Sequence, residues 1–153
     1  MGDDLRETAT DRAVVADALA EAEGRLAGGE TAELHTYAGQ AARLLGRHGL
    51  ATRHLSRALE LAPSARARIR LGEAYRCADQ LADAERELRI ALRDALGTKD
   101  EHYALQHLGK TLADAGRCAE AETALERALA LRKDANEREL VASTEAALRR
   151  LRG

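Results

Sequence analysis

Three glycines lie inside segments that otherwise read as helix, and the same small pattern follows each at the same distance. Gly39 precedes Ala51, Leu55 and Ala58; Gly72 precedes Ala84, Leu88 and Ala91; Gly109 precedes Ala121, Leu125 and Ala128. The pattern is Ala-x3-Leu-x2-Ala each time, and the glycines are 33 and then 37 residues apart (39 to 72 to 109). A glycine in a helix interior costs ~1 kcal/mol relative to alanine. Three at matching positions imply a packing gain that offsets it. With no side chain at the glycine, a second helix packs against the backbone of the first. The alanines face that contact and the leucine fills the space beside it. A chain repeating this unit is constrained to fold as a series of antiparallel helix pairs.

The rest of the sequence agrees. Ala, Leu, Arg and Glu dominate, and these are strong helix formers. The β-branched aliphatics are confined to Val14, Val15, Ile69, Ile90 and Val141, and Trp and Phe are absent, so a sheet would pack poorly. Gly28-Gly29, Gly46, Gly49, Gly97 and Gly116 break the chain. Pro63 breaks it again, because the residue before a proline avoids the helical region. Between the breaks the periodicity is helical. Leu34, Tyr37, Ala38, Ala41 and Leu45 share a face, and so do Leu81, Ala84, Leu88, Ala91 and Leu92. Thr98-Lys99-Asp100-Glu101 and Asn136-Glu137-Arg138-Glu139 read as capping boxes. The spacing predicts about eight helices, near 4–27, 31–46, 48–61, 65–77, 80–96, 100–114, 117–133 and 136–152.

Leu71-Gly72-x2-Tyr75 followed by Ala84, Leu88 and Ala91 resembles the tetratricopeptide repeat, as does Leu108-Gly109-x2-Leu112 with its downstream alanines. Ala58-Leu59-Glu60-Leu61-Ala62-Pro63 is similar to the usual repeat ending. The resemblance covers residues 31–133 and implies a degenerate bacterial member of the family. No repeat has the family's early tryptophan, whose register holds His35, Arg68 and Leu105, and only the middle repeat keeps the tyrosine. The fold it implies is all-α, a right-handed superhelical solenoid forming one domain over 1–153. Residues 1–29 form an N-terminal packing helix. The repeats are 31–64, 65–98 and 99–135, and 136–153 form a capping helix with Leu140, Val141, Leu148 and Leu151 turned to the stack.

Catalytic constellations are not found, so no enzymatic activity and no cofactor are expected. His35, His48, His54, His102 and His107 lack the i, i+4 spacing of a zinc-binding helix, and there is no phosphate loop or nucleophile elbow. His48 and His54 lie near one turn, as a metal pair or as surface and cap residues. Cys77 and Cys118 read as half-buried small hydrophobes, or as a redox pair if their sulfurs meet. Glu85 with Arg89, and more loosely Glu122 with Arg127, read as solvated helix faces. The net charge of −2 argues against nucleic acid. No stretch approaches the ~20 apolar residues of a membrane span. The acidic opening Met1-Gly2-Asp3-Asp4 lacks a signal-peptide apolar region, so a cytoplasmic location is expected.

In the tetratricopeptide family the concave surface is lined by one face of each first helix. The resemblance carries that role to Glu33, Thr36, Gln40 and Arg43, to Arg66, Ile69, Glu73 and Arg76, and to Tyr103, Gln106, Lys110 and Asp114. Tyr and Arg are frequent interface hot spots; alternatively Tyr103 and Ile69 pack between repeats. Clustered arginines favour a peptide carrying carboxylates. The lysine–asparagine clamp of chaperone-binding members is absent, since its registers hold Thr36, Gln40, Arg70, Tyr103 and His107. The expected function is a protein–protein interaction scaffold holding a peptide or helical segment of another protein. The alternatives are a self-associating module, such as a homodimer through the N-terminal helix, or a regulatory module of a larger transcription or signalling system.

Overall fold

The computed structural model describes the backbone of residues 2–153 and the side chains of 11–153. Eight α-helices follow one another: α1 Gly2–Leu26, α2 Ala32–Leu44, α3 His48–Leu61, α4 Ala65–Cys77, α5 Leu81–Ala95, α6 Glu101–Asp114, α7 Cys118–Asp134 and α8 Arg138–Arg152. Among the described residues there is no strand, and no helix is long and apolar enough to cross a membrane. The helices form two compact units, Met1–Pro63 and Ser64–Gly153.

Successive helices pack on each other in both units, as expected of a helical repeat. In the first unit α1 packs on α2 and α2 on α3. Its core is Leu19, Ala22, Ala38, Ala41, Ala42, Leu45 and Ala51. Arg12 of α1 donates from Nη2 to the Leu45 carbonyl at 3.1 Å, which places a cation at the negative end of α2. Tyr37 departs from the shared face expected of it and is 57% exposed. It lies one helical step, ~100°, from the fully buried Ala38, at the edge of the buried face. In the second unit α4 pairs with α5 and α6 with α7, α5 packs on α6, and α8 lies on α7. Contacts also join α4 to α6 and α6 to α8.

The three glycines do what their spacing implies. A Cβ at Gly39 would lie 2.6 Å from Leu55 Cγ, one at Gly72 2.6 Å from Leu88 Cγ, and one at Gly109 2.7 Å from Leu125 Cγ. The flanking alanines Ala51, Ala58, Ala84, Ala91, Ala121 and Ala128 are all buried. The turn closing each pair also repeats. Seven residues after each glycine stands a left-handed residue: Gly46 (φ 73°), Asp79 (φ 59°) and Gly116 (φ 77°). The next amide then bonds five residues back, Arg47 to Ala42, Gln80 to Tyr75 and Arg117 to Leu112, each at 2.9 Å.

Helix starts follow the sequence less closely. Thr31 and Ser64 cap α2 and α4, accepting from the amides of Leu34 and Ala67 at 3.1 and 3.0 Å. At α6 the expected box is displaced: Glu101 reaches back to the Gly97 amide (2.9 Å), and Thr98 accepts from Asp100 (3.2 Å). Asn136 caps nothing with its side chain. It takes a left-handed conformation (φ 57°) that ends α7, and Glu137 bonds back to Arg132. Glu85 pairs with Arg89 at 2.8 Å as read, whereas Glu122 pairs with Arg152 and Arg127 with Glu101.

Two glycines of the first unit separate packing from propensity. Nothing lies within 4 Å of a Cβ at Gly24, in α1. Gly24→Ala is expected to raise stability by up to about 1 kcal/mol. Gly39→Ala is expected to lower it by about 1–2 kcal/mol, because overpacking against Leu55 and the Ala51 carbonyl outweighs the same propensity gain. Urea denaturation of the two variants measures both signs.

Candidate interaction surface

The sequence-derived positions fall on three first helices. On α2, Glu33 is exposed, Thr36 donates to the Ala32 carbonyl (2.8 Å), and Arg43 Nε donates to Gln40 Oε1 (3.2 Å). Glu33 also lines a cleft of about 510 Å³ between α1 and α2, together with Arg25, Leu34 and Tyr37.

In the second unit the α4 and α6 positions come together. Arg66 donates to Asp100 at 2.7 Å, and its guanidinium lies 4.2 Å from the centre of the Tyr103 ring. Tyr103, half-buried, is also tilted against His102 at 4.1 Å. Arg76 donates to Asp114 at 3.1 Å. Glu73 and Lys110 stand half-buried between these two pairs. Ile69 and Gln106 do not present themselves to solvent, being 3% and 2% exposed. Ile69 packs with Leu88, Ala91, Ala104 and Leu108. Gln106 is covered by α8, whose Thr144 hydroxyl lies 2.9 Å from its Oε1. Their place in the expected strip is therefore corrected to the interior.

One residue at the centre of this region lies outside the first-helix registers. Arg132, on α7, is 2% exposed. It donates from Nε to His102 Nδ1 (3.0 Å) and from Nη1 to the Thr144 hydroxyl (2.7 Å) and the Leu140 carbonyl (3.2 Å). Its guanidinium is 5.6 Å from the Tyr103 ring centre. No carboxylate among the described residues comes within salt-bridge distance of it. Because His102 accepts at Nδ1, its proton belongs on Nε2. Burial, then the neighbouring Arg132, hold the pKa of His102 below the ordinary range.

Below this network Arg76, Lys110 and Arg150 rim a cleft of about 540 Å³ floored by Leu125, Ala147 and Leu151. Burial, then the like charge of Arg76, lower the pKa of Lys110. His107 Nδ1 is buried without a hydrogen-bond partner, and burial takes the pKa of this imidazole down to about 4. Glu73 opposes that shift; Lys110, Arg76 and Arg132 add to it.

The other polar groups assemble less. His54 meets His35 rather than His48: the two Nδ1 atoms are 3.0 Å apart, with Glu30 2.8 Å from His35 and Glu23 3.7 Å from His54. Among the described residues no three His, Cys, Asp or Glu side chains converge to hold a metal ion. Cys77 is half-buried, Cys118 is exposed rather than half-buried, and both are free thiols. Compared with known proteins, the chain matches no family model, and a search of the curated proteins finds no match.

The depressed histidines fix a pH dependence. His54, His102 and His107 all have folded pKa values below 6.5, so the unfolded chain binds protons first as pH falls. Their contribution is complete above pH 6.5 and is lost as pH falls towards the folded values, about 4 for His107. His107 alone accounts for a loss on the order of 3 kcal/mol over that interval. Denaturant midpoints between pH 7 and 4.5 are expected to fall, and the His107→Gln variant should show a shallower slope than wild type.

Proposed function

We propose that this chain is a tetratricopeptide-like interaction module that binds a peptide or helical segment of another protein, and that it is not an enzyme. The observation that carries this reading is the α4–α6 face of the second unit. There Arg66, Tyr103, Arg76 and Lys110 stand on two packed first helices, partly open to solvent and beside a cleft with an apolar floor. Planar rings and guanidinium groups held by neighbouring contacts lose little entropy on binding, which is why such residues dominate interface energies. The family assignment is supported by the glycine–leucine contact recurring at one register in three helix pairs. A cytoplasmic setting fits two free thiols.

The test is affinity capture from native lysate with wild-type protein and an Arg66→Ala/Arg76→Ala/Tyr103→Ala variant. Captured proteins should be lost from the variant while its circular dichroism stays helical. Retention of the same proteins by a folded variant would overturn the assignment of this face.

A second reading, self-association, is favoured by one observation in the first unit. Tyr37 and Leu44, two turns apart on one side of α2, are 57% and 61% exposed. If this stripe pairs two copies, Tyr37→Ser/Leu44→Ser should lower the sedimentation coefficient. A value already monomeric in wild type removes the idea.

A further inference from the structure

The cations of the second unit without a carboxylate in salt-bridge distance among the described residues include Arg70 on α4, Lys110 on α6, Arg132 on α7 and Arg150 on α8. Arg132 is buried, and Arg70 and Lys110 are half-buried. Elsewhere in this chain arginines regularly sit against acids, as in Arg57–Glu30, Arg68–Glu87 and Arg117–Glu85. Three of them are electrostatically linked, since Arg132 and Arg150, with Arg76, each act on Lys110; Arg70 is acted on by Arg66 and, in the opposite sense, by Asp100. Arg66 and Arg76 are already engaged, by Asp100 and Asp114. Glu73 is the acid that acts on Lys110 and His107.

The same side also holds unpaired polar atoms: Arg76 Nε is buried with no acceptor, and His107 Nδ1 is buried and unpartnered. A buried donor without a partner costs roughly 1–3 kcal/mol, and a desolvated cation without a counter-charge costs more. Such a strip carries more positive charge than its own acids, Glu73, Asp100 and Asp114, offset. Next to it the Leu125–Ala147–Leu151 floor offers room for an apolar side chain.

We infer that the α4–α6–α8 side of the second unit takes an acidic peptide segment, with carboxylates meeting Arg70, Lys110 and Arg150 and an apolar side chain seated in the cleft. The inference rests on the reading of the chain as a partner-binding module. A peptide fits better than a nucleic acid for two reasons. The strip's own acids, Glu73, Asp100 and Asp114, interrupt its cations and would repel a continuous phosphodiester backbone. The cleft floor needs an apolar side chain, which such a backbone does not supply.

The test probes an array of random dodecapeptides with the full chain at low salt. Captured peptides are expected to be rich in Asp and Glu interleaved with Leu, Ile or Met. Binding of the best of them, followed by fluorescence anisotropy, should weaken at least about tenfold in Arg70→Gln/Lys110→Gln and again at high salt. Should that double variant unfold, Arg150→Gln, at an exposed position, should still weaken binding about threefold. Capture of neutral or basic peptides overturns the acidic ligand and leaves the module standing. Capture of none overturns the module reading itself. Competition by single-stranded oligonucleotide stronger than by the peptide, or a sedimenting dimer that the peptide does not dissociate, overturns the peptide as the occupant.

Discussion

The branch of a leucine resting on the bare Cα of a glycine sets the separation of the two helices in every pair. Interaxial distances run from about 8 to 10 Å according to the side chains at the contact. Here the contact residues are glycine on one helix and alanines flanking a leucine on the other, the combination that reaches the close end of that range. Close approach matters more in this chain than in most, because it has no Phe and no Trp. The first-unit core is mostly alanine, with Leu19, Leu45 and Leu55 as its buried leucines. Small side chains bury little area each, so the backbones themselves must come within van der Waals range to supply the missing contacts. The glycine that costs helix propensity is what allows an alanine core to cohere.

That constraint was legible because it is written at fixed spacing, and eight helices could be placed from it within about two residues. The turn geometry was half legible. Gly46 and Gly116 announce a left-handed residue, but Asp79 fills the same register and carries the same conformation. Short polar side chains tolerate that region, so the register predicts the turn better than the residue type does. Asn136 misled for the same reason. Asn is favoured both at a helix start and just past a helix end, and only the bond from Glu137 back to Arg132 decides between them.

The surface was less legible than the fold. Family registers say which way a position points on its own helix, not what the next helix lays over it. Gln106 points as expected, and α8 covers it through Thr144. Arg132 was invisible for the opposite reason. It sits on a second helix in Leu131-Arg132-Lys133-Asp134, a run that reads as a solvated last turn. Its burial follows from packing between α6 and α8. The same blindness applies to histidine pairing. His35 and His54 are 19 residues apart, and their contact depends on α2 lying against α3.

Arg132 also explains why the α4–α6 side carries unspent positive charge. A buried guanidinium can be held in two ways. A carboxylate neutralises it, and the field beyond the pair is then small. Neutral acceptors satisfy its protons but leave the charge in place. This arginine takes the second course, with the His102 ring nitrogen, the Leu140 carbonyl, the Thr144 hydroxyl and the Tyr103 ring around it. Arginine suits such a role because it has five donors in a fixed plane and stacks on aromatic faces. The imidazole must stay neutral to accept, and Arg132 itself helps keep it so. Charge held in a poorly polarisable interior is weakly screened by salt, unlike that of the exposed arginines. The α8 helix that closes over Gln106 thus completes a fixed electrostatic feature.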